Sequence, residues 1–494
     1  MTRPFDIEQI RRVVRGRWVT LPGIWRGKSS AGASLTAREK LPLMVKGVCT
    51  DSRQANPGEV FFAIKGEKFD GHDFLPAAAE GGCIAAIVDG DISITRETKE
   101  RFPAGIIAVT DTTAALGDLA EYCRKRLTAT VVAVTGSNGK TTVKEMIHHI
   151  LSKHMKGSAA KASFNNAVGV PLTLLDARSD DAYVICEAGT NHPGEMARLA
   201  RIIKPDIAVI TSVHETHLEG LGDIEHVAIE KSALLCGLSP HGLVVAWADS
   251  EPLKRALHGY DAKVVWFGQD GSADLRLTGY QHVIGGGRFQ LNDRFWVELV
   301  VPGLHNALNA LAAIAVAQKF GIDPAVSAGD LKDYHGTKMR LEVIKHGGIT
   351  IINDAYNSNP ASLRAGVAAM ESFRGKRRVV VAGDMLELGP ASEQLHRRAG
   401  ETIAAMGVGL VVGIGALGRY IADGAENVGG VITERIGSVE EACKVLPSMI
   451  KRGDVVLIKG SRRMEMERLV EPIEKAFRPK RRAGKTYSRK VRTC

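Results

Sequence analysis

Val131-Val132-Ala133-Val134-Thr135-Gly136-Ser137-Asn138-Gly139-Lys140-Thr141-Thr142 decides how the rest of the chain is read. Five small or β-branched residues make a short strand buried on both faces, and a glycine turn and a new helix follow without a spacer. A helix that starts this way turns its free backbone N–H groups and the positive end of its dipole towards an anion. Glycine lets the backbone come close to a phosphate. Gly136, Ser137, Asn138, Gly139, Lys140, Thr141 and Thr142 are therefore expected to hold the phosphates of a nucleotide. Lys140 would neutralise the β/γ oxygens and the Thr141 hydroxyl would ligate Mg²⁺. The spacing departs from the usual phosphate loop, because Val134 stands where the first glycine belongs and leaves the shorter Gly-x-x-Gly-Lys-Thr. A plain glycine turn with a surface lysine is the bland alternative.

Outward from this loop the chain alternates strand and helix. A helix is expected over 114–126. Strands follow at 183–187, 207–211 and 243–246 with helical patterns between them, which means a parallel sheet. The Ala/Leu-rich run 305–320 reads as a helix closed by Gly321. Upstream, a short helical start and a loop around 23–34 precede a small α/β unit with strands at 60–64, 84–88 and 106–109. Downstream, strands at 350–353, 378–382, 410–412 and 455–459 make another. With 494 residues the chain is too long for one core, which rarely serves more than about 250–300. The expected fold class is α/β in three domains: a small N-terminal α/β domain over 1–110, a central P-loop parallel-sheet ATPase domain over 111–334, and a C-terminal Rossmann-like domain over 335–476. A basic tail over 477–494 is expected to be disordered.

Composition agrees: 53 glycines and only 5% aromatic residues suit helices lying closely on parallel strands. The net charge is +10, but residues 478–494 carry eight Lys/Arg and no acid, and ten minus those eight leaves about +2 for the rest. Such a tail is normally a solvated segment, so nucleic-acid binding is not expected. The seven cysteines at 49, 83, 123, 186, 236, 443 and 494 contain no CxxC pair and signal neither a zinc site nor a disulfide framework. No signal peptide and no 18-residue apolar run is present, so a cytoplasmic protein without a membrane span is expected.

Three further residues stand on successive elements of the expected central sheet. Glu187 ends the strand over 183–187, at the edge where open α/β sheets bind ligands. His217 lies in the loop after the next strand. Lys231 falls on a helix whose apolar face includes Val227, Ala228, Leu234 and Leu235. Each alone reads blandly, as a solvated acid, a structural histidine and a surface lysine. Their order behind a phosphate loop changes that reading.

That order resembles the Mur ligases, and the resemblance runs from about residue 48 to 470. It implies ATP, two Mg²⁺ ions and a CO₂-derived carbamate on Lys231. Thr141 and Glu187 would hold one Mg²⁺, and Glu187, His217 and the carbamylated Lys231 would organise the second. Lys140, Lys231, His217 and Arg340 would be the catalytic residues. His305-Asn306 opens the Ala-rich helix, and Asn306 is implied to contact adenine. Arg340, in Lys338-Met339-Arg340-Leu341-Glu342, is implied to reach the γ-phosphate. Asp354, which starts Asp-Ala-Tyr-Asn-Ser-Asn-Pro, is implied to contact the ribose. Thr50-Asp51-Ser52-Arg53 and Asp70-Gly71-His72 resemble the UDP-binding segments, with Ser52 and Arg53 as substrate contacts. Asn165 and Asn166, in Ser163-Phe164-Asn165-Asn166 before Gly169-Val170-Pro171, resemble the NNxxGVP segment of one family member and are implied to be further substrate contacts.

Within the family, Gly383-Asp384-Met385-Leu386-Glu387-Leu388-Gly389 and Lys459-Gly460-Ser461-Arg462 resemble the member that adds D-alanyl-D-alanine to a UDP-N-acetylmuramoyl-tripeptide. The DNPR motif of the diaminopimelate-adding member is absent. The implied partners are those two small molecules, and a monomer is expected. The long basic stretch before residue 48 and the basic tail depart from the pattern.

Rival readings remain. Gly413-Ile414-Gly415-Ala416-Leu417-Gly418 follows a strand, and Glu434 lies 21 residues after Gly413, as in a dinucleotide fingerprint. Folylpolyglutamate synthetase shares the P-loop and the lysine. A binding module using the basic tail is a different class.

Overall fold

The computed structural model describes residues 5–23, 43–90 and 92–478. The basic tail beyond 478 and most of the loop expected around 23–34 lie outside them. Two compact units divide the chain. The first runs to Gln281 and takes up Gly287–Val300 and Leu304–His335. The second takes His282–Gly286, Val301–Gly303 and the chain from Gly336 onward.

The first unit opens with a five-stranded sheet in the order Arg17–Thr20, Ile106–Val109, Ala85–Asp89, Glu59–Phe62, Gly47–Cys49. All its pairings are parallel except that of Arg17–Thr20. The helix Thr112–Arg124, begun by the Asp111 carboxylate accepting from Ala114 N–H, leads out of this sheet. It buries Leu116, Leu119 and Ala120 in a core that runs without a break from Ile87 and Ile107 to Val131 and Val184. That shared core explains why the N-terminal and central domains form one compact unit.

The central domain is a nine-stranded sheet. Its phosphate-loop strand, Thr130–Thr135, lies between Tyr183–Glu187 on one side and Ile207–Ile210 on the other, parallel to both. The chain therefore builds outward in one direction and then the other from Thr130–Thr135. This is the switch point where the carboxyl ends of two strands leave a crevice for a ligand. Register puts Glu187 opposite Val134 and Ile210 opposite Thr135, so both neighbours end level with the loop. Beyond Lys263–Gly268 the sheet continues through Leu275–Val283, Gly286–Leu291 and Phe295–Leu299, a run the sequence pattern did not reveal.

The second unit is a six-stranded sheet in the order Glu342–His346, Ile349–Asn353, Asp454–Lys459, Arg377–Gly383, Leu410–Ile414, Ile432–Ile436. Only the hairpin of the first two is antiparallel. Here Gly415 starts a helix, Gly415–Val428, as the dinucleotide fingerprint requires. Its N-terminus already holds an anion: the Asp384 carboxylate accepts from Leu417 N–H at 2.9 Å and from Gly418 N–H. Gly418 is also close-packed, and a Cβ there would lie 3.1 Å from the Ala382 carbonyl oxygen. The glycines serve packing and an internal carboxylate occupies the place of a pyrophosphate, which disposes of the dehydrogenase reading. Glu434 sits in the edge strand Ile432–Ile436 and is exposed.

Candidate active site

The phosphate loop is held by the strand beside it. Ser137 N–H donates to Ser212 C=O at 2.8 Å, Asn138 N–H to Ser212 Oγ at 3.0 Å, and Ser137 Oγ to His214 C=O at 3.1 Å. Two glycines are indispensable. Gly136 has φ +144°, and a Cβ on it would lie 2.0 Å from Thr211 Oγ1. Gly139 has φ +83°, and its Cβ would meet Asn309 Oδ1 at 2.4 Å. The helix Lys140–Ser152 starts at Gly139 without a side-chain cap, as suits a terminus that offers its N–H groups to an anion. The Lys140 ammonium folds over the loop, donating to Gly136 C=O at 2.7 Å and Ser137 C=O at 3.3 Å. Thr142, one residue past Thr141 in the same first turn, is half-buried.

Thr141 Oγ1 donates to Glu187 Oε2 at 2.8 Å, and Asn165 Nδ2 donates to Glu187 Oε1 at 3.0 Å. Thr141 and Glu187 are 2% and 1% exposed. A carboxylate taken out of water and met by neutral donors suits a hard cation, which prefers oxygen ligands. His217 is half-buried and adopts left-handed backbone (φ 54°) at the start of the helix Leu218–Leu221. Residues with side chains rarely adopt this conformation outside turns and functional sites.

Lys231 lies in the last turn of the helix Ile224–Ser232 and is 1% exposed, so it is not the surface lysine of the bland reading. Burial pushes its ammonium down to about 7, the charge of Lys140 pushes the same way, and Glu230 opposes. Glu230 faces elsewhere: its carboxylate accepts from Gly194 N–H at 2.8 Å and Met196 N–H at 2.7 Å, capping the helix Glu195–Ile203. Thr141, Glu187, Asn165, Lys140 and Lys231 are thus brought into one electrostatic neighbourhood.

Asn306 is buried in the first turn of the helix Leu304–Lys319, where Asn309 Nδ2 donates to its Oδ1 at 3.3 Å. Asn309, which packs against Gly139, escaped the sequence reading; its only signal was a second asparagine one turn after the first. Lys144 escaped it too. Fully buried, it donates to Ala160 C=O at 2.6 Å and Ala162 C=O at 2.7 Å and pairs with Glu145 at 2.8 Å. It anchors the loop that carries Asn165 to Glu187.

A cleft of about 1570 Å³ opens between the N-terminal and central sheets of the first unit. Thr50, Asp51, Glu59, Phe164 and Asn166 are among the residues on its wall. Asn166 also accepts from Val168 and Gly169 N–H, at 3.1 and 2.9 Å, at the start of the helix Gly169–Asp176. Ser52 and Arg53 lie next to the lining on a short 3₁₀ turn, and Arg53 is bonded to Asp51. Asp70, Gly71 and His72 do not line the cleft. His72 is buried, bonded to Asp70 and accepting from Asp89 N–H at 3.0 Å, so it ties a loop to a strand end.

In the second unit, Arg340 sits between Met339 and Leu341, both in left-handed backbone, and its guanidinium lies 4.0 Å from the centre of the Tyr356 ring. Asp354 accepts from Leu341 N–H at 3.1 Å and from the Lys459 ammonium at 2.5 Å. Lys459 also donates to Asn357 C=O at 2.9 Å. The two segments singled out in the sequence, 338–342 and 354–360, are therefore tied together by Asp354.

Comparison with known proteins matches residues 44–124 to the Mur ligase family, catalytic domain, 134–317 to the Mur ligase middle domain, and 339–462 to the Mur ligase, glutamate ligase domain. The chain is 35% identical over 438 residues to the UDP-N-acetylmuramoyl-tripeptide--D-alanyl-D-alanine ligase of Bacillus subtilis (strain 168), covering 87% of this chain and 93% of that one. It superposes on MurF from Acinetobacter baumannii with a TM-score of 0.82 at 29% identity, covering 96% and 99% of the two chains. It superposes on MurF ligase from Thermotoga maritima in complex with ADP with a TM-score of 0.76 at 27% identity, covering 88% and 98%.

Proposed function

The chain belongs to the Mur ligase family, and from that premise we propose that it joins D-alanyl-D-alanine to UDP-N-acetylmuramoyl-tripeptide with cleavage of ATP, giving the UDP-N-acetylmuramoyl-pentapeptide, ADP and phosphate. The observation that carries the chemistry is the bonded pair Thr141–Glu187 directly behind the phosphate loop, with the buried Lys231 in the field of Lys140. The cleft of about 1570 Å³ is larger than the few hundred to about 1000 Å³ of ordinary small-molecule pockets and suits a nucleotide-linked sugar peptide.

A carboxylate does not acylate an amine at neutral pH, because its oxygen is a poor leaving group. In the proposed reaction a carboxylate oxygen of the tripeptide attacks the γ-phosphorus of ATP in line, and ADP leaves. The D-alanyl-D-alanine nitrogen then attacks the carbonyl carbon of the acyl phosphate, and the tetrahedral intermediate expels phosphate as the nitrogen loses a proton. Lys140 and the backbone N–H groups at the start of Lys140–Ser152 stabilise charge on the transferring group. Asn306, Arg340 and Asp354 are proposed to contact adenine, γ-phosphate and ribose. Thr141 and Glu187 would hold one Mg²⁺, and Glu187, His217 and a carbamate on Lys231 a second, which when bound neutralise phosphoryl oxygens. The carbamate forms when the neutral Lys231 nitrogen bonds to the carbon of CO₂ and releases a proton, turning a cation into a carboxylate.

Cytoplasmic residence belongs to the same reading; no helix among the described residues is long and apolar enough to cross a membrane. Phosphate release measured with each of the four Mur substrate pairs tests the proposal. Turnover with UDP-N-acetylmuramoyl-tripeptide and D-alanyl-D-alanine is expected, and turnover with another pair alone would overturn it. Positional isotope exchange in ATP that needs the tripeptide but not the dipeptide is expected from the acyl phosphate.

A further inference from the structure

Away from the phosphate loop, the N-terminal sheet gathers two thiols and a carboxylate. Cys49 ends the strand Gly47–Cys49, Glu59 begins the neighbouring Glu59–Phe62, and Cys83 precedes the next strand, Ala85–Asp89. One ligand atom from each lies within 4.8 Å of the others. Cys49 and Cys83 are buried, Glu59 is half-buried, and both Cys49 and Glu59 reach the cleft wall. The carboxylate is already steered: Glu59 accepts from Asn56 N–H at 2.9 Å.

We propose that Cys49, Glu59 and Cys83 form a binding site for a thiophilic divalent cation of the Zn²⁺ type. Two sulfur donors and one carboxylate oxygen are a donor set that zinc accepts, with metal–ligand bonds near 2.3 Å to sulfur and about 2.0–2.2 Å to oxygen. Ligand atoms so close together need only side-chain movement to close on one ion. Three protein ligands leave the fourth tetrahedral position to water or to an anionic group of a cleft ligand. Two thiols alone would pass as small core hydrophobes, but a core pair gains nothing from a carboxylate beside it, whereas a bound cation offsets that charge. Metal binding displaces the thiol protons. The site uses none of the ATP-binding residues and is independent of the ligase reading.

Titration of the reduced, Mg²⁺-free full chain with Co²⁺ tests the site, because thiolate–cobalt charge transfer absorbs in the near ultraviolet and oxygen-ligated Co²⁺ in an ATP site does not. One Co²⁺ per chain is expected to give the band, and one equivalent of Zn²⁺ to remove it. Cys49→Ser and Cys83→Ser should each abolish it, Glu59→Gln should weaken binding by on the order of tenfold or more, and Cys236→Ser should leave it unchanged. Absence of the band at excess Co²⁺, or its survival in Cys83→Ser, would overturn the proposal. If the serine variants fail to fold, zinc-edge X-ray absorption of the wild-type chain with one equivalent of Zn²⁺ decides: two sulfurs at about 2.3 Å support the site, and a shell of oxygen and nitrogen alone overturns it.

Discussion

Thr141 donates its hydroxyl to Glu187 across 2.8 Å with both side chains almost wholly out of water. The bond joins the first turn of the helix Lys140–Ser152 to the end of the neighbouring strand, so the glycine loop and the carboxylate proposed to hold Mg²⁺ share one scaffold. Glu187→Gln keeps the shape and an acceptor for Thr141 but removes the anion. Turnover should fall by about 10²-fold or more, since groups that stabilise developing charge contribute on that order, while the melting temperature moves by only a few degrees. A variant with near wild-type phosphate release would remove Glu187 from the metal site.

Gly139→Ala tests the loop itself. The backbone sits at φ +83° and the added methyl would lie 2.4 Å from Asn309 Oδ1. Left-handed backbone on a residue with a Cβ costs about 1–3 kcal/mol, and Asn309 must move as well. The expected result is a lower denaturant midpoint together with loss of ATP-dependent thermal stabilisation. Gly139,Asn309 double substitution to Ala and Ala should recover part of the stability, because the clash is removed and only the backbone strain stays.

Lys144→Met probes an anchor. The buried ammonium satisfies the Ala160 and Ala162 carbonyls, and its loss strands them. Removing one partner of a buried charged network costs about 3–5 kcal/mol. Turnover should drop too, because the loop ending in Asn165 no longer holds Glu187 in place. Unchanged urea unfolding would contradict the packing role.

Which parts were legible in the sequence follows from the range of the interactions. The strand ending in Glu187 was placed at 183–187 and is found at Tyr183–Glu187, because a fully buried strand is one continuous apolar run. The strands 275–299 were missed: Leu275–Val283 is half polar, with its last residues exposed, and offers no such run. Lys231 was legible only through its order behind the loop, since its burial comes from elements distant in sequence. Glu230 gave no hint that it caps a helix beginning 35 residues earlier. The 413–418 fingerprint stayed open as a rival for the same reason: the carboxylate that fills that helix terminus, Asp384, lies 34 residues before Gly418.

Lys231 should leave a mark on stability against pH. Burial and then Lys140 push its ammonium down to about 7, whereas an unfolded lysine titrates near ~10.4. Between those values the unfolded chain carries the proton and the folded chain does not, so stability rises with pH by up to about 1.4 kcal/mol per unit. Below about 7 both states are protonated and the contribution is flat, at its full destabilising size; above ~10.4 it is gone. Urea midpoints of wild type and Lys231→Met between pH 7 and 9.5, in CO₂-depleted buffer, should therefore converge as pH rises. Parallel curves would mean that Lys231 titrates like a solvated lysine.

Carbamylation makes a separate demand on the same residue. If Lys231 supplies a carboxylate only after reacting with CO₂, turnover must fall in CO₂-depleted buffer and return with bicarbonate. Lys231→Ala should be nearly inactive, because the second Mg²⁺ loses an oxygen ligand. Acetate is small enough to enter the vacated space and supply those oxygens, so it should restore part of the rate. Lys231→Arg should resist rescue, since it fills the space with a permanent cation. A lysine that served only packing would respond to neither acid nor CO₂. Full activity of Lys231→Ala in CO₂-depleted buffer would end the carbamate proposal and leave the roles of Lys140 and Glu187 standing.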